Sequence, residues 1–71
     1  MTVLQQTALN YLEIADKLEL AASHCRIAAK HYQHNDVPRG HAHAFATLGF
    51  LKDSEENLIE NAKTAAKFSK T

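Results

Sequence analysis

The chain has 71 residues, with eight basic side chains, eight acidic side chains and five histidines. This length supports one domain, and the balanced charge gives no overall field that would attract nucleic acid or an anionic membrane. A single cysteine excludes an internal disulfide and suits a reducing compartment. We find neither a signal-peptide pattern nor an apolar run of the ~20 residues that a membrane span needs, and we expect a cytoplasmic protein.

The first predicted helix begins at a capping-box pattern, in which Thr2 is followed three residues later by Gln5. Neither glycine nor proline occurs between this pattern and Pro38. Because those two residue types are the strongest helix breakers, the sequence predicts an uninterrupted helix over about residues 3–33.

The turn signals of the chain cluster in one place. Asn35 tolerates the left-handed backbone that ends many helices, and Asp36 can cap the helix that follows. We therefore predict a turn at about residues 34–37 and a second helix at about residues 38–69. Gly49 lowers helix propensity by about 1 kcal/mol relative to alanine, but the apolar spacing continues across it, so one uninterrupted second helix is predicted.

A seam of apolar residues runs along each predicted helix at alternating spacings of four and three. In the first helix it consists of Leu4, Ala8, Tyr11, Ala15, Leu18, Ala22, Cys25, Ala29 and Tyr32. In the second helix it consists of Ala44, Leu48, Leu51, Glu55, Leu58, Ala62 and Ala65. This spacing is typical of helices that pack side by side, so we predict an all-α antiparallel hairpin in which the two seams pack against each other.

The helices are apolar over a wider arc than these two seams can cover. We expect a second copy of the chain to cover the rest, giving a homodimeric four-helix bundle. The residues expected at that interface are Leu12, Ile14, Leu20, Ile27, Phe45 and Ile59. The layout is similar to the small dimeric hairpin bundles, a likeness of architecture alone that implies no function.

All five histidines lie between residues 24 and 43, together with three basic residues and one acid. Because the turn falls there, these rings mark one basic end of the hairpin, and we expect the two copies to keep these ends apart. Three rings could offer imidazole ligands to zinc, copper or nickel: His31, His34 and His41. One alternative is a pH-sensitive or anion-binding tip that loosens as the rings protonate between pH 7 and 5, and another is a solvated polar helix end with incidental histidines.

No catalytic constellation accompanies these patterns, and no cofactor motif is present. The expected function is a non-enzymatic helical interaction, scaffold or regulatory module that acts as a homodimer, with another helical protein as an alternative partner. A metal- or ligand-binding bundle that uses the histidine-rich end is the first alternative function. A nucleic-acid binder is the second, which the zero net charge disfavours.

Overall fold

The computed structural model describes residues 2–67 and contains two helices, α1 (Val3–Gln33) and α2 (Val37–Ala66). A hydrogen bond between Asn10 and Asn61 joins the beginning of α1 to the end of α2, so the helices run antiparallel. The predicted all-α hairpin is confirmed. The molecule is a narrow rod of 55 × 17 × 13 Å.

Local capping interactions define both helix starts as the sequence predicts. The hydroxyl of Thr2 accepts from the backbone N–H of Gln5, and the Gln5 side chain accepts from the Thr2 N–H in return. Asp36 caps α2 by accepting a hydrogen bond from the backbone N–H of Arg39. Asn35 has a φ of 61°, the left-handed conformation that its short amide side chain tolerates.

Helix α2 passes through Gly49 without interruption, as predicted. A side chain at this position would meet no atom within 4 Å, so this glycine marks no close approach of another element. The described part of α2 ends at Ala66, and the predicted end at residue 69 lies outside the described residues.

The two helices do not pack through the predicted seams, and this part of the prediction is wrong. Helix α1 turns a different set toward α2, again at spacings of three and four: Thr7, Asn10, Ile14, Lys17, Ala21, His24, Ala28 and His31. The corresponding set of α2 is Gly40, His43, Thr47, Phe50, Ser54, Asn57, Asn61 and Thr64. We call these two sets the hairpin stripe. Every member is buried or half-buried, whereas most residues of the predicted seams are exposed.

The hairpin stripe consists mainly of small residues and polar residues. Among the described residues, the buried apolar side chains are only Ile14, Ala21 and Ala28. The buried polar side chains are Thr7, Ser54 and Asn61. A Cβ atom added at Gly40 would lie 2.6 Å from the Tyr32 ring, so any other residue here would require that ring to move. Such small residues let two helices approach closely.

Directional hydrogen bonds fix how the helices face each other. Asn61 donates to the carbonyl oxygen of Thr7 at 3.1 Å and accepts from the side chain of Asn10 at 3.2 Å. The Thr47 hydroxyl donates to the carbonyl oxygen of His43 in its own helix at 2.9 Å and lies 3.4 Å from the carbonyl oxygen of Ala21 across the hairpin. Within the described part of the chain, no buried side-chain nitrogen or oxygen lacks a partner. Because an unpaired buried polar group is costly, these bonds select one rotation of each helix.

Candidate functional site

The two predicted seams lie together on one broad side of the hairpin, which we call the apolar face. A groove between the helices joins the two seams, because residues of both helices line it. The lining residues are Cys25, Ala28, Ala29, Tyr32, Ala44, Thr47 and Leu48. Cys25, which the sequence predicted to pack between the helices, is exposed on this face. The seams therefore form one continuous surface on the outside of the hairpin.

The large side chains of the apolar face are exposed over much of their surface. Their exposed fractions range from 38% for Leu58 to 61% for Leu48. The hairpin exposes 5430 Å² in total, whereas a folded monomer of 7.9 kDa exposes about 4,400 Å². The rod shape accounts for part of this excess of about 1,000 Å², which is comparable to the ~800 Å² that each partner buries in a standard interface.

The opposite side of the hairpin is polar. Its groove is lined by Asn10, Glu13, Ile14, Lys17, Asn57 and Glu60. Charged and amide groups of both helices thus meet on this side, while alanine, leucine and tyrosine fill the other. A contiguous apolar surface on one side only is the usual mark of an interaction site.

The residues predicted for a dimer interface divide into three groups. Ile14 is 3% exposed within the hairpin stripe, which corrects its predicted place on the outer surface. Leu20 and Ile27 follow Glu13 at spacings of seven, which places both on the polar side. The remaining three border the apolar face and are exposed: Leu12, Phe45 and Ile59.

A ladder of aromatic rings lies in the hairpin stripe near the turn. The rings stack in the order Phe50, His24, His43 and His31, with centroid separations of 5.6, 5.1 and 5.4 Å. The Nδ1 atoms of His24 and His43 lie 2.9 Å apart. A hydrogen bond between two imidazole nitrogens needs a proton on one and a free lone pair on the other. In this contact one ring therefore donates and the other accepts.

The structure does not bring the three predicted metal ligands together. Their Nδ1 atoms contact three different groups: that of His41 lies 2.6 Å from the Tyr32 hydroxyl, that of His34 lies 2.8 Å from the Lys30 carbonyl, and that of His31 lies 3.8 Å from the Asp36 carboxylate. Across residues 2–67, no group of three or more His, Cys, Asp or Glu side chains is placed to hold a metal ion.

Comparisons of this chain with models of protein families, with curated proteins and with solved structures found no match. Neither α1 nor α2, as far as the structure describes them, has a stretch long and apolar enough to cross a membrane. The apolar face is therefore the candidate functional site on the strength of its own geometry and composition.

Proposed function

We propose that this protein is a non-enzymatic interaction module that acts as a homodimer, in which two hairpins pack their apolar faces together as a four-helix bundle. The observation that carries the proposal is the contrast in burial. The described hairpin buries three apolar side chains, while leucines and tyrosines of the apolar face stay exposed. Burying one such side chain contributes about 1.5–3 kcal/mol, so covering this face contributes as much as the ~5–15 kcal/mol stability of a typical domain.

The composition of the apolar face favours a second copy as its partner. Along α1 the face alternates alanine with a larger residue at every step, from Leu4 to Tyr32. Large side chains of one copy can lie over the alanine positions of the other, which is how small and large layers interdigitate in helical bundles. A surface that is complementary to itself closes with two-fold symmetry, which is the commonest form of association between identical chains.

Two matched substitutions test this proposal. Leu51 lies on the apolar face and Leu20 on the polar side, and they are similarly exposed, at 45% and 48%. Leu51→Glu would bury two carboxylates in the dimer interface, and we expect it to raise the dissociation constant by at least about a hundredfold. Leu20→Glu is expected to leave the dimer intact. The measurement is the mass in solution by light scattering at micromolar concentration.

The two variants also separate this proposal from its alternatives. If both glutamates dissociate the dimer equally, the interface is not the apolar face. If the unmodified protein is a folded monomer, the homodimer itself is wrong.

A further inference from the structure

Each helix carries a row of exposed residues along one edge of the apolar face, at spacings of seven. In α1 the row is Leu12, Glu19 and Arg26, and in α2 it is Phe45, Lys52 and Ile59. We call these the edge rows. In a four-helix bundle, positions that border the core contact the neighbouring helix, and here that neighbour belongs to the second copy. The edge rows therefore decide which helix of the partner lies beside each helix.

We propose that the two hairpins associate with their turns at the same end of the bundle, so that α1 of one copy lies beside α2 of the other. This inference rests on the homodimer proposed above. In this arrangement the two-fold axis runs along the rod. Residues of α1 and α2 that lie at the same height along the rod within one hairpin therefore also lie at the same height in the two copies. Contacts between α1 and α2 join residues whose numbers add to between 67 and 74, and the Asn10–Asn61 hydrogen bond, with a sum of 71, lies near the centre of this range.

The edge rows are complementary when residues at the same height along the rod are paired. Leu12 lies opposite the partner's Ile59, which makes an apolar pair. Glu19 lies opposite the partner's Lys52, which makes an ion pair, and Arg26 lies opposite the partner's Phe45, where a guanidinium can stack on the ring. Symmetry repeats each contact, so the arrangement contains two of every pair.

Association with the turns at opposite ends makes poorer contacts. Each helix would then lie antiparallel to its own copy, and residues near the helix midpoints would face themselves. Glu19 lies near the midpoint of α1 and Lys52 near the midpoint of α2. Two glutamates and two lysines would each meet a like charge, which is unfavourable at such positions.

The turn end of the hairpin carries less unpaired charge than its sequence indicates. The carboxylate of Asp36 lies 3.4 Å from Arg39 and 3.8 Å from His31. Exposed charges that remain at this end are screened beyond about 8 Å at physiological salt. The repulsion between turn ends, which favours placing them apart, is therefore weaker than like-charge contacts within the interface.

Cross-linking of cysteine variants tests the arrangement. In a Cys25→Ser background, chains with Glu19→Cys and chains with Lys52→Cys are unfolded together, refolded and treated with a short bismaleimide. We expect covalent dimers that contain one chain of each kind, identified by mass spectrometry. Asp16→Cys mixed with Glu56→Cys is the control, because helical spacing directs both exposed positions away from the apolar face. This control pair is expected to give no cross-link.

Two outcomes would overturn this arrangement. Cross-linked dimers of Glu19→Cys chains alone would place the turns at opposite ends. A dimer by light scattering that yields no mixed cross-link would also exclude it, while a monomer by light scattering would remove the homodimer itself.

Charge reversal gives a second, independent readout of the same arrangement. Glu19→Lys and Lys52→Glu are each expected to raise the dimer dissociation constant about three- to tenfold. The double variant should restore it to within about twofold when the turns lie at the same end, because the ion pair is rebuilt with reversed signs. With the turns at opposite ends, each single reversal would exchange one like-charged pair for another, so neither single variant would weaken the dimer and the double variant would have no loss to restore.

Discussion

The hairpin stripe and the apolar face follow the same helical spacing and serve different partners. The stripe consists mainly of small, amide, hydroxyl and imidazole side chains, together with Ile14, Lys17 and Phe50, and it lies buried or half-buried between α1 and α2. The apolar face consists of alanine, leucine and tyrosine with the single residues Cys25 and Glu55, and it lies on the outside of the hairpin. Polar groups need hydrogen-bond partners at defined positions, and the turn holds α1 and α2 so that each provides such partners for the other. An apolar surface needs only to be covered. Helical spacing thus identifies a packing surface without identifying what packs on it.

The largest expected effect separates the two surfaces by truncating one side chain in each. Ile14→Ala removes the only large apolar residue among the buried core residues of the described chain, and we expect it to cost about 2–5 kcal/mol of folding free energy. This loss should appear at every protein concentration, because the side chain packs within one hairpin. Urea unfolding followed by circular dichroism measures it.

Leu18→Ala is the matched change on the apolar face, where Leu18 is 39% exposed. We expect its cost to depend on protein concentration, since the lost contacts belong to the dimer. Equal, concentration-independent losses for both variants would contradict the division into a hairpin surface and a dimer surface.

Local features of the fold could be predicted from the sequence because they depend on neighbouring residues. Thr2 and Gln5 satisfy each other within one helical turn, and Asp36 reaches an N–H three residues away. The left-handed Asn35 follows from its own side chain. Such signals are present in a short stretch of chain and need no tertiary context.

The partner of each surface could not be predicted in the same way. The apolar spacing predicted an interhelical contact between apolar residues, whereas the two helices meet through Asn61, Ser54 and Thr47. The sequence did contain a signal for this contact, because polar and small residues recur at spacings of three and four on both helices. Whether His24 and His43 face each other depends on how both helices are rotated about their own axes, and no local sequence pattern specifies this rotation.

A smaller expected effect concerns Glu55, the one charged residue of the apolar face. Its carboxylate is exposed in a single hairpin and would lose water when two faces pack together. We expect Glu55→Leu to tighten the dimer by about ten- to a hundredfold, which sedimentation equilibrium can measure. Glu56→Leu, one residue along and directed away from the face, is the control and should change affinity little.

The smallest expected effect comes from the imidazole contact in the hairpin stripe. The Nδ1 atoms of His24 and His43 lie 2.9 Å apart, and the His43 ring also stacks on His31. His43→Phe keeps a stacked ring and removes the hydrogen bond between the two nitrogens.

We expect this variant to lose on the order of 1 kcal/mol of folding free energy, measured by urea unfolding followed by circular dichroism. A stability equal to that of the unmodified protein would show that the nitrogen contact does not stabilise the hairpin.

The mass of the unmodified protein during dilution tests the role of the apolar face most directly. Sedimentation equilibrium from high to low micromolar concentration, with circular dichroism on the same samples, reports association and folding together. We predict about 15.8 kDa at the highest concentration, which is twice the 7.9 kDa of one chain, and a partial loss of helicity as dilution separates the copies into less stable single hairpins. A species of 7.9 kDa that keeps its full helicity at every concentration would contradict the proposal that a second copy covers the apolar face.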